Sequence, residues 1–547
     1  MRTRRSTGIV PLVVAVSLLL WPLGGGAPGV ANAVGASPDA PASLLHAGST
    51  NAVQGQNLTT PIPDAGLQTL TEITVPGWTS ANATTDILSF DPVRLVMYFP
   101  DRVNNAVDAI DTGTNTLLGM IPMPPDCVNV MTARGHACPS GVQVAPDLRK
   151  LLVTDRGSRI FIFDISGTPV PQSIQTTLTL PNGASGADEL DYDPLNHRAY
   201  VNNGSGAFPP PVGPFETTVV DVVRNVVLGA IPQVAALEQP RFNPVDGFIY
   251  NNVSGLSQTQ RIDPARGRVG EVVATFAITA CPSGATGIDI DPVSDVAVLA
   301  CGAPDPVPVL DLTTGTIRQT FPQITGADGM YFNNNTRRWY QANNSNTNPN
   351  ADTCPVDTID AGNLVPVVGV FGAAKGGGRA VSLIGVQCSV ANGHSLGVDP
   401  IHNNVYVPGK AFPANGGPPG VAVFHDPSPS AQRPVNRAQA DLQPLSGQIV
   451  QGQVTFQNQG RVVSASVKYI SREAPSELVI TTTVGNEVVR CADADPGRER
   501  DEGRNELAIC QGHIIGAPLI RGVVLFGVAG KLFASGTIHR GAGEPDD

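Results

Sequence analysis

Lysine is nearly missing from this chain: five occur among 547 residues, against 29 arginines, and charged residues of all kinds make up 15%. The scarcity reads as a compositional habit, but the charge balance carries more. The net charge is −12, and it falls to about −15 once Arg2, Arg4 and Arg5 leave with the targeting segment described below. A chain without clustered cations lacks the means to neutralise phosphates, which excludes nucleic acid and anionic membrane surfaces as partners. No CxxC, CxxCH or Cys/His spacing of the zinc type occurs, which excludes structural zinc and attached haem. After Leu23 there is no further long apolar run, so the mature chain has no membrane span. No apolar period of 3.6 is present either, which excludes an α/β architecture.

What is present at the start is a secretion signal. Arg2, Arg4 and Arg5 form a basic region, Ile9 to Leu23 an apolar one, and Ala31-Asn32-Ala33 a small-x-small cleavage site. Residues 1–33 are therefore expected to be removed, leaving a secreted or extracytoplasmic protein, free or associated with the cell surface. Residues 34–64, rich in Ala, Ser, Pro, Gly and Asn, read as a flexible lead-in.

Beyond the lead-in, one phrase recurs seven times: an alternating apolar run, an Asp-Pro-like turn, an aromatic-rich strand and two more strands. The turns fall at Pro92, Pro146, Pro194, Pro244, Pro292, Asn334 and Pro400, spaced 54, 48, 50, 48, 42 and 66 residues apart. Four strand-like runs per unit at this period predict an all-β fold, a seven-bladed β-propeller over residues 65–425. The last unit lacks a fourth strand, whereas LQTLTEITVPG at residues 67–77 resembles the fourth strands of the others. The N-terminal strand is thus expected to complete the last blade and close the ring. A Pro/Ser/Gln linker follows at 426–440. Residues 441–547 then alternate in short runs, which predicts a small β-sandwich-like domain.

Eight cysteines in an exported chain favour disulfides. The expected topology puts Cys127 with Cys138, Cys281 with Cys301 and Cys354 with Cys388 in propeller loops, leaving Cys491 and Cys510 for the C-terminal domain. Sequence leaves the connectivity open.

The chemistry is sought where innermost strands begin. Six residues before each turn residue stand Asp86, Ser140, Asp188, Glu238, Thr286, Asp328 and His394, and the next position adds Glu189, Gln239 and Ser395. Loops after the second strands add Asp101, Asp155, Asn202, Asn251, Asn343 and Lys410. Four carboxylates at one channel mouth need a cation, a raised pKa or ordered water to coexist. An oxygen-rich set suits Ca²⁺ or Mg²⁺, so Asp86, Asp188, Glu238 and Asp328 are candidate metal ligands and His394 a candidate catalytic base or acid. A hydrated polar mouth is the plainer reading.

Other matches lose to their context. Gly393-His394-Ser395-Leu396-Gly397 fits the G-x-S-x-G elbow, but a strand and not a helix is expected after it. The glycine run between Lys375 and Arg379 lacks the spacing and following helix of a phosphate loop. The acidic stretch ADADPGRERDEGRNE is interleaved with arginines and reads as a solvated loop rather than a calcium site. Asp91, Asp193, Asp291 and Asp399 precede turn prolines, where a carboxylate bonds nearby backbone, and His197 and His402 sit just past such turns.

The cadence "FDP…LVMYFPD…AVDAIDTGTNTLLG" and "VDP…NVYVPG…VAVFHDP", across residues 67–425, resembles the YVTN-type seven-bladed propellers of exported bacterial and surface-layer proteins. That resemblance implies a binding or cell-surface role, sometimes beside an immunoglobulin-like domain. Broader propeller relatives include metal-dependent lactonases and a lyase. Two functions are therefore weighed. One is an exported binding or surface protein, expected as a monomer, that presents its channel-mouth face to a small molecule, glycan or protein. The other is a divalent-metal-assisted lyase or lactone hydrolase. Trp339 and Tyr340 are the stacking groups expected for a glycan near the Asn-rich loops.

Overall fold

The computed structural model describes residues 62–540 apart from 80–81, 84, 128–137, 158, 184–185, 205–213, 245, 347–364, 375–377, 411–417, 429–437, 445–448, 458–461, 470–476, 483–484, 494–505, 514–522 and 529–530. The secretion signal, most of the lead-in, Cys354, the core of the linker and the acidic C-terminal loop lie outside the described residues.

Seven antiparallel four-stranded sheets form a β-propeller. The first blade runs Ser89–Asp91, Val96–Asp101, Ala106–Asp111 and Thr116–Pro122 from the channel outward. The two middle strands are buried almost end to end, whereas Thr116–Pro122 alternates exposed and half-buried positions. That difference is what a blade requires: the middle strands are covered on both faces, and the outer one meets water. Blades pack face to face. Tyr98, Val107 and Ala109 of the first blade meet Val144, Leu151, Phe161 and Phe163 of the second in one apolar cluster. Burying each of the Val, Leu and Phe side chains stabilises by about 1.5–3 kcal/mol.

The turn after the innermost strand explains the Asp-Pro signature. Asp91 Oδ1 accepts from the Val93 and Arg94 amides, and Leu95 then takes the left-handed backbone (φ 59°) that returns the chain. Asp193 does the same for Leu195 and Asn196, with His197 at φ 51°, and Asp399 for Ile401 and His402, with Asn403 at φ 56°. In the sixth blade Asn333 supplies the acceptor for Asn335 and Thr336, so an amide replaces the carboxylate where the proline is also missing. These aspartates are structural, as expected.

The seventh blade is ordered Gln68–Thr74, Gly420–His425, Asn404–Gly409, Gly397–Asp399 from outside to inside, so the N-terminal strand does close the ring. The register runs from Gln68 opposite His425 to Thr74 opposite Gly420. The lead-in ends sooner than expected. Ile62 is buried in the core cluster of the fifth and sixth blades, and Val386 exchanges backbone hydrogen bonds with Pro63 and Ala65. Residues 62–64 thus pin the chain to the sixth blade before it closes the seventh.

The cysteines Cys127–Cys138, Cys281–Cys301 and Cys491–Cys510 are bridged. Cys388 is also disulfide-bonded.

The C-terminal strands pair in one continuous antiparallel series. Eight of them pair in the order Ala438–Asp441, Ile449–Gln457, Val462–Tyr469, Glu506–His513, Gly485–Asp493, Glu477–Thr482, Val523–Val528 and Lys531–Arg540, and the last pairs back onto the first. The pairing ring is closed, as in a barrel. Gly485–Asp493 makes one corner: its first half pairs with Glu477–Thr482 and its end with Glu506–His513. Alternation in sequence marks a buried face but not how the sheet edges meet.

Candidate binding site at the channel mouth

The starts of the innermost strands do converge. The ligating atoms of Asp86, Asp328 and His394 lie within 4.8 Å of one another, and so do those of Glu189, Glu238 and Asp328. Asp328 belongs to both groups and joins them. Of the four carboxylates picked out as metal ligands, Asp86, Glu238 and Asp328 are thus brought together with His394, and Glu189 joins them.

Asp188 stands outside both groups but shares Arg156 with Asp86. Its carboxylate accepts from Ser140 Oγ and pairs with Arg156. Burial alone would raise its pKa, but Arg156, Arg102 and the Ser140 hydroxyl outweigh burial and hold it below the usual carboxylate range. Asp86 is paired in turn with Arg102 at 2.6 Å, and Arg156 lies 3.6 Å away. Two guanidiniums therefore stand among the mouth carboxylates. The cation that four converging acids require is partly supplied by the chain itself.

Both arginines follow an aspartate that closes a second strand, in FPDRVNN and VTDRGSR. Sequence reasoning chose the aspartates, and the structure places them otherwise. Asp101 accepts from Trp78 Nε1 at 2.7 Å and from the Val103 amide. Asp155 accepts from the Gly157 amide and from Arg159 Nε at 2.7 Å. Both fix hairpins, and the next residue reaches the mouth. The repeated Asp-Arg pair was the available signal.

The remaining acids are under electrostatic load. Glu189 and Glu238 are both pushed well above the ordinary carboxyl pKa, first by burial and then by neighbouring carboxylates, Glu238 acting on Glu189 and Asp328 on both. Asp328 is raised to about 6 by burial, with His394 working the other way. Glu189 Oε2 is buried with no hydrogen-bond partner. At neutral pH this cluster holds protons that a cation would displace.

Other expected mouth residues serve the scaffold. Asn202 Nδ2 donates to Asn251 Oδ1 at 2.5 Å, and Asn251 Nδ2 to Thr217 Oγ1. Thr286 Oγ1 donates to the Ala327 carbonyl, and Gln239 Oε1 accepts the Ile288 amide. Ser395 is buried and leads into the strand Gly397–Asp399, so the elbow reading fails. Trp339 and Tyr340 are fully buried, Trp339 Nε1 donating to the Asp289 carbonyl, so neither can stack on a glycan. Among the described residues no helix is long and apolar enough to cross a membrane.

No protein-family model matches the chain, and no curated protein matches it. Among solved structures, a chain from a crystal structure of the mitotic checkpoint complex aligns with a TM-score of 0.43 at 12% identity, covering 70% of this chain and 98% of that one.

Proposed function

We propose that this is an exported binding protein of the YVTN-propeller kind, whose channel-mouth face is the ligand platform and holds a divalent cation. One observation carries the reading: Glu189, Glu238 and Asp328 offer three oxygens within 4.8 Å of one another, beside the Asp86, Asp328 and His394 group. The orphaned, buried Glu189 Oε2 supports it, because a cation gives that oxygen the partner the protein does not. An all-oxygen set suits Ca²⁺ or Mg²⁺; inclusion of His394 would shift preference towards Mn²⁺. Arg102 and Arg156 neutralise Asp86 and Asp188, which leaves Glu189, Glu238 and Asp328 as the principal ligands.

The test is calorimetric titration of Ca²⁺, Mg²⁺ and Mn²⁺ into chelator-treated protein and into a Glu189→Gln/Asp328→Asn double variant. Binding by the first and not by the second supports the reading. Equal binding, or none, ends it.

A second reading is a metal-assisted lactone hydrolase or lyase. His394 shares Asp328 with the three-carboxylate group, and its Nδ1 lies 3.2 Å from the Asn392 carbonyl, which orients the ring. In that reading Glu189, Glu238 and Asp328 would hold the ion, which would supply Lewis acidity towards a carbonyl, and His394 Nε2 would take or return the proton. Turnover of a lactone panel that disappears in His394→Gln, with cation affinity retained, separates catalysis from binding.

A further inference from the structure

The channel has a second chamber. Three residues before the turn positions, the innermost strands contribute Asp191, Arg241, Asp289 and Tyr331, which link up across the channel. Arg241 Nε donates to the Ile288 carbonyl and lies 3.3 Å from Asp289 Oδ1, while Nη1 is 3.7 Å from Asp191 Oδ1. The guanidinium carbon stands 5.2 Å from the centre of the Tyr331 ring, and Tyr331 Oη donates to the Leu88 carbonyl of the first blade. The two aspartates are themselves anchored: Asp191 Oδ2 accepts the Phe242 amide at 2.6 Å and Asp289 Oδ2 the Phe332 amide at 2.7 Å. Five of the seven blades thus join in one crossbar, on rigid strands.

Against this crossbar lies a cavity of about 540 Å³ that is lined by all seven turn positions, from Pro92 to Pro400. Its volume falls in the range of small-molecule sites. Its walls alternate ring faces, from the prolines, Phe90 and Tyr331, with polar groups. Three lining residues carry buried polar atoms without a hydrogen-bond partner: the donor Arg241 Nη2 and the acceptors Asn334 Oδ1 and Asp147 Oδ1. The buried charges, by contrast, already have opposite or polar neighbours. Arg241 sits between two carboxylates, and Asp147 Oδ2 lies 3.1 Å from His197 Nδ1 and accepts from Tyr192 Oη.

We propose that this cavity is a ligand site separate from the cation cluster, and that it takes a neutral, hydroxyl-rich small molecule of mono- or disaccharide size. A hydroxyl both accepts and donates, so a neutral polyol can pair with guanidinium, amide and carboxylate groups alike among the lining residues. The C–H faces of a pyranose match proline and aromatic rings. The buried charges of Arg241 and Asp147 already have neighbours, which favours a neutral ligand, and the exposed, water-screened Arg149 is the other cation among the lining residues.

The experiment uses the whole chain. Saturation-transfer NMR and calorimetry are run with D-glucose, D-galactose, D-mannose, maltose and trehalose at about 10 mM, which detects millimolar dissociation constants. Glucuronate and glucosamine serve as charged comparisons. Asn334→Ala removes an acceptor and Val93→Trp fills the chamber from its rim; melting curves show that each is folded, and Asn334→Ala stands alone if Val93→Trp is not. The expected result is binding of at least one neutral sugar, weakened tenfold or more in both variants and indifferent to calcium or chelator. The proposal is overturned if no neutral sugar binds or if affinity is unchanged in the folded variants. It is equally overturned if the charged sugars bind tighter, or if binding requires calcium, which would place the ligand at the opposite mouth.

Discussion

Arg102 Nη2 lies 2.6 Å from Asp86 Oδ2, so the end of a second strand neutralises the carboxylate that precedes the innermost strand of its own blade. Arg102 also donates to Ser140 Oγ and the Pro139 carbonyl, which carries the tie to the second blade. Both partners are about nine-tenths buried, so water screens the pair little. Removing one partner strands the other. Arg102→Met should cost about 3–5 kcal/mol in calcium-free buffer. Adding Asp86→Asn should return most of that loss, and urea unfolding of the two single variants and the double variant measures the coupling.

Cation affinity should rise with pH. Glu189, Glu238 and Asp328 hold their protons to higher pH than ordinary carboxyls, Asp328 titrating at about 6, and a cation must displace those protons. Calorimetry in buffers of different ionisation enthalpy should detect proton release between about pH 5 and 7. Affinity that is flat across that window would place the ion elsewhere.

A second prediction on pH concerns Asp108. Burial, with the nearby Asp101 carboxylate, raises it to about 9, and Asp101 is the acceptor that its retained proton meets. The folded chain keeps this proton where the unfolded chain has lost it. Its contribution is therefore complete below the unfolded carboxyl range, declines as pH rises from about 4, and levels off only above about 9, at up to about 1.4 kcal/mol per pH unit. Asp108→Asn, which cannot ionise, should be more stable than the natural chain at pH 8 and closer to it at pH 5. Denaturant melts at the two pH values decide this; a difference independent of pH would show that Asp108 is not protonated in the fold.

Ring closure is testable at one glycine. A Cβ on Gly420 would stand 2.1 Å from the Ile73 carbonyl oxygen of the closing strand. Gly420→Ala should cost about 1–3 kcal/mol by forcing the two strands apart. A chain beginning after Thr74 would leave Gly420–His425 as an open edge, and it should associate on size-exclusion chromatography where the full chain does not.

Much of the fold was legible in the chain because its signals are local. An acidic or amide acceptor before six of the seven turns (Ala145 stands in the second), the strand period of two and the missing fourth strand of the last unit are all written within a few residues, and repetition multiplies them. Asp86, Glu238, Asp328 and His394 were legible as a column for the same reason: equal offsets in equivalent blades lead to equal places around one channel. What lay beyond reach were contacts made between blades. The Asp-Arg pair marks the end of the second strand, but only the assembled ring decides that Asp101 bonds Trp78 and Arg102 reaches the mouth. Arg241 and Tyr331 meet across the channel from the fourth and sixth blades, and the first and last strands of the C-terminal ring are about a hundred residues apart. Hydrogen bonding and turn chemistry within a unit set the blade, so its sequence determines it; the balance of charge and the shape of the chambers come from side chains that meet when seven such units close, and these arise in the assembled ring.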